Sequence, residues 1–179
     1  MRPDTNSILP SARTVLNVLA YPDNQLPHRL PELVTALREL HAQHSLHARA
    51  TTDMATEGLH PAAVAVAART ASVCAFEVEH TIYAIDCEVA RRLQARSVVA
   101  AASAPRHSES VGAVFSRMVQ LWIEVDDHRE GTDLLPAGPA LFELLGSYTD
   151  LCDELVLGVR QLPTPRRPLL CRSEADGAS

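Results

Sequence analysis

Residues 60–95 read HPAAVAVAARTASVCAFEVEHTIYAIDCEVARRLQA. Val64, Ala68, Ala71, Ala75, Val78, Ile82, Ile85 and Val89 recur at steps of three and four, one continuous helical stripe. Pro61 stands in the first turn, where proline is tolerated, so the pattern predicts a helix from His60-Pro61 to about Ala95. At 100° per residue, Asp86 falls about 55° from the centre of the stripe and Glu79 farther out. Asp86 is therefore expected at the core boundary, where a carboxylate needs a partner such as an Arg or Ser from a neighbouring helix. The opposite side carries Phe76, His80, Tyr83 and Cys87. A helix that is semi-apolar on both sides touches more than one neighbour. That side reads as a subunit interface, or as a seat for the N-terminal segment.

Working outward, the same period recurs. A short helix is expected over Ser11–Ala20, followed by the breakers Pro22, Pro27 and Pro31. A long helix is expected from Pro31 to about Thr56, with Leu30, Leu33, Leu37, Leu40, His44 and His47 along its seam. The spacing holds where leucine gives way to histidine, so the inner seam turns polar. Residues 97–106 form a small-residue linker. A third long helix is expected from about Glu109 to Asp127, and a fourth from about Gly138 to Gln161, with Leu141, Leu144, Tyr148, Leu151, Leu155 and Val159 as its seam. Four long helices on short connections predict an all-α antiparallel bundle, with a short N-terminal helix and a flexible C-terminal tail. A single domain is expected over 1–163, and a tail over 164–179 that is disordered or ordered by a partner.

Composition agrees. Aromatics are only 4% of the 179 residues, so the core must rest on Leu, Val and Ala, which favours packed helices over a sheet. The net charge of −6 opposes nonspecific binding to nucleic acid or an anionic membrane. All 16 basic residues are arginine. A lysine Schiff base is thereby excluded, and an anion must be held by Arg, His or backbone N–H. Cys74, Cys87, Cys152 and Cys171 are widely spaced, with no CxxC. With no signal-like N-terminus and no apolar run of about 18 residues, a cytoplasmic, reduced protein is expected, without membrane or nucleic-acid partners.

The chemical motifs are sparse. A di-iron bundle needs two Glu-x-x-His motifs, and Glu77-Val78-Glu79-His80 supplies one, pointing away from the stripe. His41, His44 and His47 lie three apart but lack acidic support for a metal. No phosphate loop, nucleophile elbow or basic-aromatic stripe is present. No metal and no cofactor are expected.

The richest stretch is APRHSESVGAVFSRM, residues 104–118. His107 or Ser108 can cap the third long helix, and Glu109 suits its dipole. Val111, Val114, Phe115, Met118, Trp122 and Val125 form its apolar face. Glu109, Gly112, Ala113, Ser116, Arg117 and Gln120 form the other. Glycine inside a helix costs about 1 kcal/mol against alanine, so Gly112 beside Ala113 and Ser116 points to close approach of a ligand or another backbone.

At these residues the chain resembles an uncharacterised helical bacterial family, a domain of unknown function. Its members read His-(Ser/Thr)-Glu-Thr-(Leu/Pro)-Gly and then Asp-Arg on the third helix. The matching residues are His107-Ser108-Glu109-Ser110-Val111-Gly112 and Ser116-Arg117. Leu40-His41, Ile85-Asp86 and Tyr148-Thr149-Asp150-Leu151 through Leu162-Pro163 are similar too, so the resemblance spans residues 10–163. Ser116 replaces the family's acidic residue, which puts any carboxylate role there in doubt. The resemblance implies an all-α fold and no settled activity. More narrowly, the chain looks like a helical subunit of the two-protein enzymes that close aziridine rings in azinomycin-type biosynthesis, by eliminating sulfate from an amino sulfate ester. That implies a base, donors for the departing sulfate, and no cofactor.

Two readings follow. In the first, the chain is a metal-independent enzyme subunit acting on a small polar anionic molecule within a hetero-oligomer. His41, His44, Asp86 and Glu109 are then the catalytic candidates, and Arg117, Ser116, His107 and Gly112 the substrate-binding ones. In the second, it is a noncatalytic helical partner that orders another subunit, or that self-associates through Phe76, His80 and Tyr83.

Overall fold

In a computed structural model the chain is all-helical, and the structure describes residues 8–21, 30–127 and 137–168. Among the described residues five helices run in order: α1 (Ala12–Ala20), α2 (Pro31–Ala55), α3 (Pro61–Ala95), α4 (Val111–Asp127) and α5 (Ala137–Val156). No strand occurs among the described residues; Arg106 and Gln161 form one isolated parallel bridge.

Each start has a local cause. Ser11 caps α1, its Oγ accepting the Thr14 N–H, and His60 Nδ1 accepts the Ala62 N–H at the start of α3. Pro31 and Pro61 open α2 and α3. The α2–α3 connection is a short turn containing Gly58. α3 then returns along α2: Arg92, near its end, pairs with Glu32 at the start of α2, and Glu88 pairs with Arg92 and Arg91. α4 packs on both α2 and α3, and α5 packs on α4. The short α1 contacts both α2 and α5. The Tyr148 hydroxyl on α5 donates to the Pro10 carbonyl, 2.6 Å away and buried, tying the chain's beginning to its last helix.

One core joins these elements. Leu33, Leu37 and Leu40 of α2 meet Ile85 and Val89 of α3, Phe115 and Met118 of α4, and Leu141, Tyr148 and Leu151 of α5. Phe115 and Tyr148 pack edge to face with centroids 5.4 Å apart, a geometry that adds about 1 kcal/mol to simple burial. Cys74 and Cys152 are buried free thiols and Cys87 is half-buried and free. Burial pushes the Cys152 thiol up to about 11. Cys171 lies outside the described residues.

Three expectations are corrected. The last helix ends at Val156, not Gln161, because Gly158 adopts φ +69° and turns the chain. Residues 158–161 then bond to the 101–107 loop, with Ala101 N–H donating to Gly158 O and His107 N–H to Gln161 O. Val159 is exposed rather than a seam residue. The buried face of α3 is also rotated from the expected stripe, running through Ala67, Ala71, Cys74, Thr81, Ile85, Asp86 and Val89, while Ala75 is exposed. α3 is gripped by α2 on one side and α4 on the other, so its buried arc spans both contacts. Finally, Gly112 and Ser116 are buried between helices, not on a face turned away from the core. α4 is covered by α5 on one side and by α2 and α3 on the other.

Of the expected tail, residues 164–168 have no regular structure, and Leu162 just before them packs on the core; 169–179 lie outside the described residues. α3 contains an 18-residue window apolar enough to cross a membrane by length and composition, and 17% of it is buried.

Candidate functional site

The start of α4 is set by α3. Asp86 Oδ1 accepts the backbone N–H of Gly112 at 2.8 Å, and Ser110 Oγ accepts that of Ala113. Together they take up two of the orphan donors of a helix N-terminus. The cap thus comes from Ser110 and from Asp86 of another helix, in place of His107 or Ser108. Burial raises the Asp86 pKa, opposed by hydrogen bonds from Ser110 and from the Gly112 N–H. Gly112 is glycine because of the neighbouring backbone. A Cβ there would stand 2.5 Å from the Ile82 carbonyl oxygen and 3.0 Å from Asp86 Oδ1. The close approach read from the sequence is that of α3.

One turn on, Ser116 faces α2. His44 Nε2 and Ser116 Oγ lie 2.8 Å apart, with Ser116 only 7% exposed. Burial holds the His44 imidazole down at about 4, and the neighbouring His47 and His41 push the same way. His44 is therefore neutral at pH 7, and its tautomer decides which of the two groups donates.

His41 lies one turn earlier on α2. It borders a cleft of about 330 Å³ between α2 and the C-terminal end of α4, lined also by Ser45, Arg49, Asp53, Asp126 and Asp127. Burial lowers the His41 pKa and the charge of Asp126 raises it, with burial the stronger. Glu109 and Arg117 form an ion pair that is largely open to solvent. His107 Nδ1 lies 2.7 Å from the Glu109 carbonyl oxygen and 3.2 Å from its N–H, which donates to it.

The eight candidates thus fall into separate groups. Asp86 and Gly112 lock α4 onto α3. His44 and Ser116 join α2 to α4. Glu109, Arg117 and His107 sit at the surface before and on α4. Of the eight, His41 alone lines the α2–α4 cleft. Arg49, Asp53 and Asp127 escaped the sequence reading, although His41, Ser45, Ala48 and Thr52 form a small polar row at steps of three and four on α2. Among the described residues, no group of three or more His, Cys, Asp or Glu could hold a metal ion.

α3 presents a second unusual surface. Val66 and Val73 are 54% and 59% exposed, and Phe76 and Tyr83 are half-buried without belonging to the core. The chain matches no protein-family model, no curated protein and no solved structure.

Proposed function

We propose that this chain is a helical subunit of a hetero-oligomeric enzyme of specialised metabolism, acting without a metal on a small polar molecule. In this reading α2–α5 are the long members of an antiparallel bundle, and α1 fills the side between α2 and α5. The outer face of α3 carries the reading: an apolar row outside the core is what a subunit requires of its assembly surface.

The specific reaction proposed is aziridine closure from an amino sulfate ester, which follows from the resemblance and agrees with the cleft beside His41. Arg49 offers a cation for the sulfate, and Asp53 and Asp127 offer carboxylates for the ammonium. His41, kept largely neutral by burial, takes the ammonium proton. The freed amine lone pair attacks the carbon bearing the ester oxygen, the C–O bond breaks, and sulfate departs with the electron pair. The cleft's part is to hold amine and leaving group anti.

A second reading is favoured by the dispersal of the candidates: a noncatalytic partner that orders another subunit through the same α3 face. Sulfate release by the chain together with its co-purified partner separates the two. The enzymatic reading expects His41→Gln and Arg49→Gln each to lower turnover by about 100-fold or more with the complex intact. Unchanged turnover in both variants overturns it and leaves the partner role.

A further inference from the structure

We infer that two copies of this chain pair antiparallel through the outer faces of their α3 helices, about a two-fold axis between Val73 and Phe76. The inference rests on the reading of α3 as an assembly surface and gives that surface to a second copy of this chain, so that the other subunit of the hetero-oligomer meets the pair elsewhere.

Val66, Val73, Phe76, Tyr83 and Cys87 lie on one row, and Arg69 and His80 complete its alternating steps of three and four. This is the heptad period of a two-helix seam. The core of the chain uses a different row of the same helix, through Ala67, Ala71, Cys74 and Ile85. A 35-residue helix with two seams can serve one internal and one external partner.

Charge fixes the direction. Arg69, Glu77 and Glu79 make no ion pair among the described residues. Parallel pairing would stack Arg69 on its own copy and set Glu77 on the same flank as the second copy's Glu79. Antiparallel pairing sets Val73 against the second copy's Phe76, Val66 against its Tyr83, Ala62 against its Cys87, and Arg69 beside its Glu77 and Glu79. Both symmetry-related ends then carry opposite charges.

Shape agrees. A groove of about 690 Å³ between α2 and α3, lined by Leu46, Leu59, Val66 and Ala67, lies at one end of the row. Tyr83 lies at the other. Tyr83, hydrogen-bonded to Cys87 and near Arg167 of its own chain, comes level with the second copy's Val66 about that axis, so the same patch meets itself as an isologous contact requires. The charges within this face oppose hydrocarbon as its neighbour.

Ala62→Cys in the full chain carrying Cys171→Ser, oxidised, tests the register. The expected product is a disulfide-linked dimer through Cys87 of the second copy, lost when Cys87→Ser is added. Light scattering should give twice the chain mass for the wild type. Arg69→Glu should weaken the dimer by about tenfold or more, with recovery on adding Glu77→Arg and Glu79→Arg. A monomeric wild type up to hundreds of micromolar overturns the inference. So does a crosslink that survives Cys87→Ser, which means parallel pairing. A monomer that dimerises only after residues 169–179 are deleted overturns it in favour of the chain's own terminus as occupant, and a monomer that binds phosphatidylcholine vesicles overturns it in favour of a lipid surface. The subunit reading fails separately: if the dimer and its crosslink form but no second protein co-purifies and no sulfate is released, that reading falls and the pairing stands.

Discussion

Asp86 of α3 and Gly112 of α4 are locked backbone to side chain: the carboxylate accepts the glycine N–H at 2.8 Å, and the glycine leaves no room for a Cβ against the Ile82 carbonyl. Asp86, a catalytic candidate by its sequence, caps a neighbouring helix.

The lock separates two substitutions. Asp86→Ala leaves a buried N–H without an acceptor and should destabilise the fold by about 2–3 kcal/mol in urea unfolding. Asp86→Asn keeps the acceptor oxygen and should cost less than half as much. Equal losses would show that the charge, not the hydrogen bond, holds α4.

Gly112→Ala drives a methyl into backbone and should cost about 2–3 kcal/mol, because neither α3 nor α4 can shift without disturbing the core. A melting temperature within about 2 °C of wild type would mean that the two helices slide apart freely.

His44 makes stability depend on pH. Its folded pKa of about 4 lies below the ordinary 6.5, so between those values the unfolded chain binds more protons than the folded one. Stability from this group is full above pH 6.5 and is lost as pH falls towards 4. Because His44 is part-exposed, screening reduces the effect to about 1–2 kcal/mol. Asp86, whose pKa is raised above 3.8, acts with the opposite sign: its contribution is present below 3.8 and is lost as pH rises through the raised value. His44→Gln should flatten the loss between pH 6.5 and 4; an unchanged slope would assign it to other groups.

The Glu109–Arg117 pair is open to solvent, with side chains 33% and 51% exposed. Removing both charges should change stability by no more than about 0.5 kcal/mol. A loss above 1.5 kcal/mol in chemical unfolding would give the pair a structural weight that its exposure does not explain.

The helical pattern was legible because apolar periodicity is written locally: the α2 leucines and the α5 seam from Leu141 to Leu155 are buried as expected. Gly112 was legible as a close approach, but which element approaches is a tertiary fact absent from any local window. The end of α5 was missed because the Val159 spacing continues the pattern while Gly158 breaks the backbone. Five of the eight candidates, His107, Glu109, Gly112, Ser116 and Arg117, came from one short stretch, and the fold distributes even these. A helix has several sides, and each side of α4 meets a different neighbour.

The α3 face is tested most directly by the molar mass of the full chain in sedimentation velocity. The wild type should sediment as an assembly larger than one chain. Val73→Glu should sediment as a single chain with unchanged helical circular dichroism and melting temperature. An assembly that Val73→Glu leaves intact would contradict the assembly role of that face.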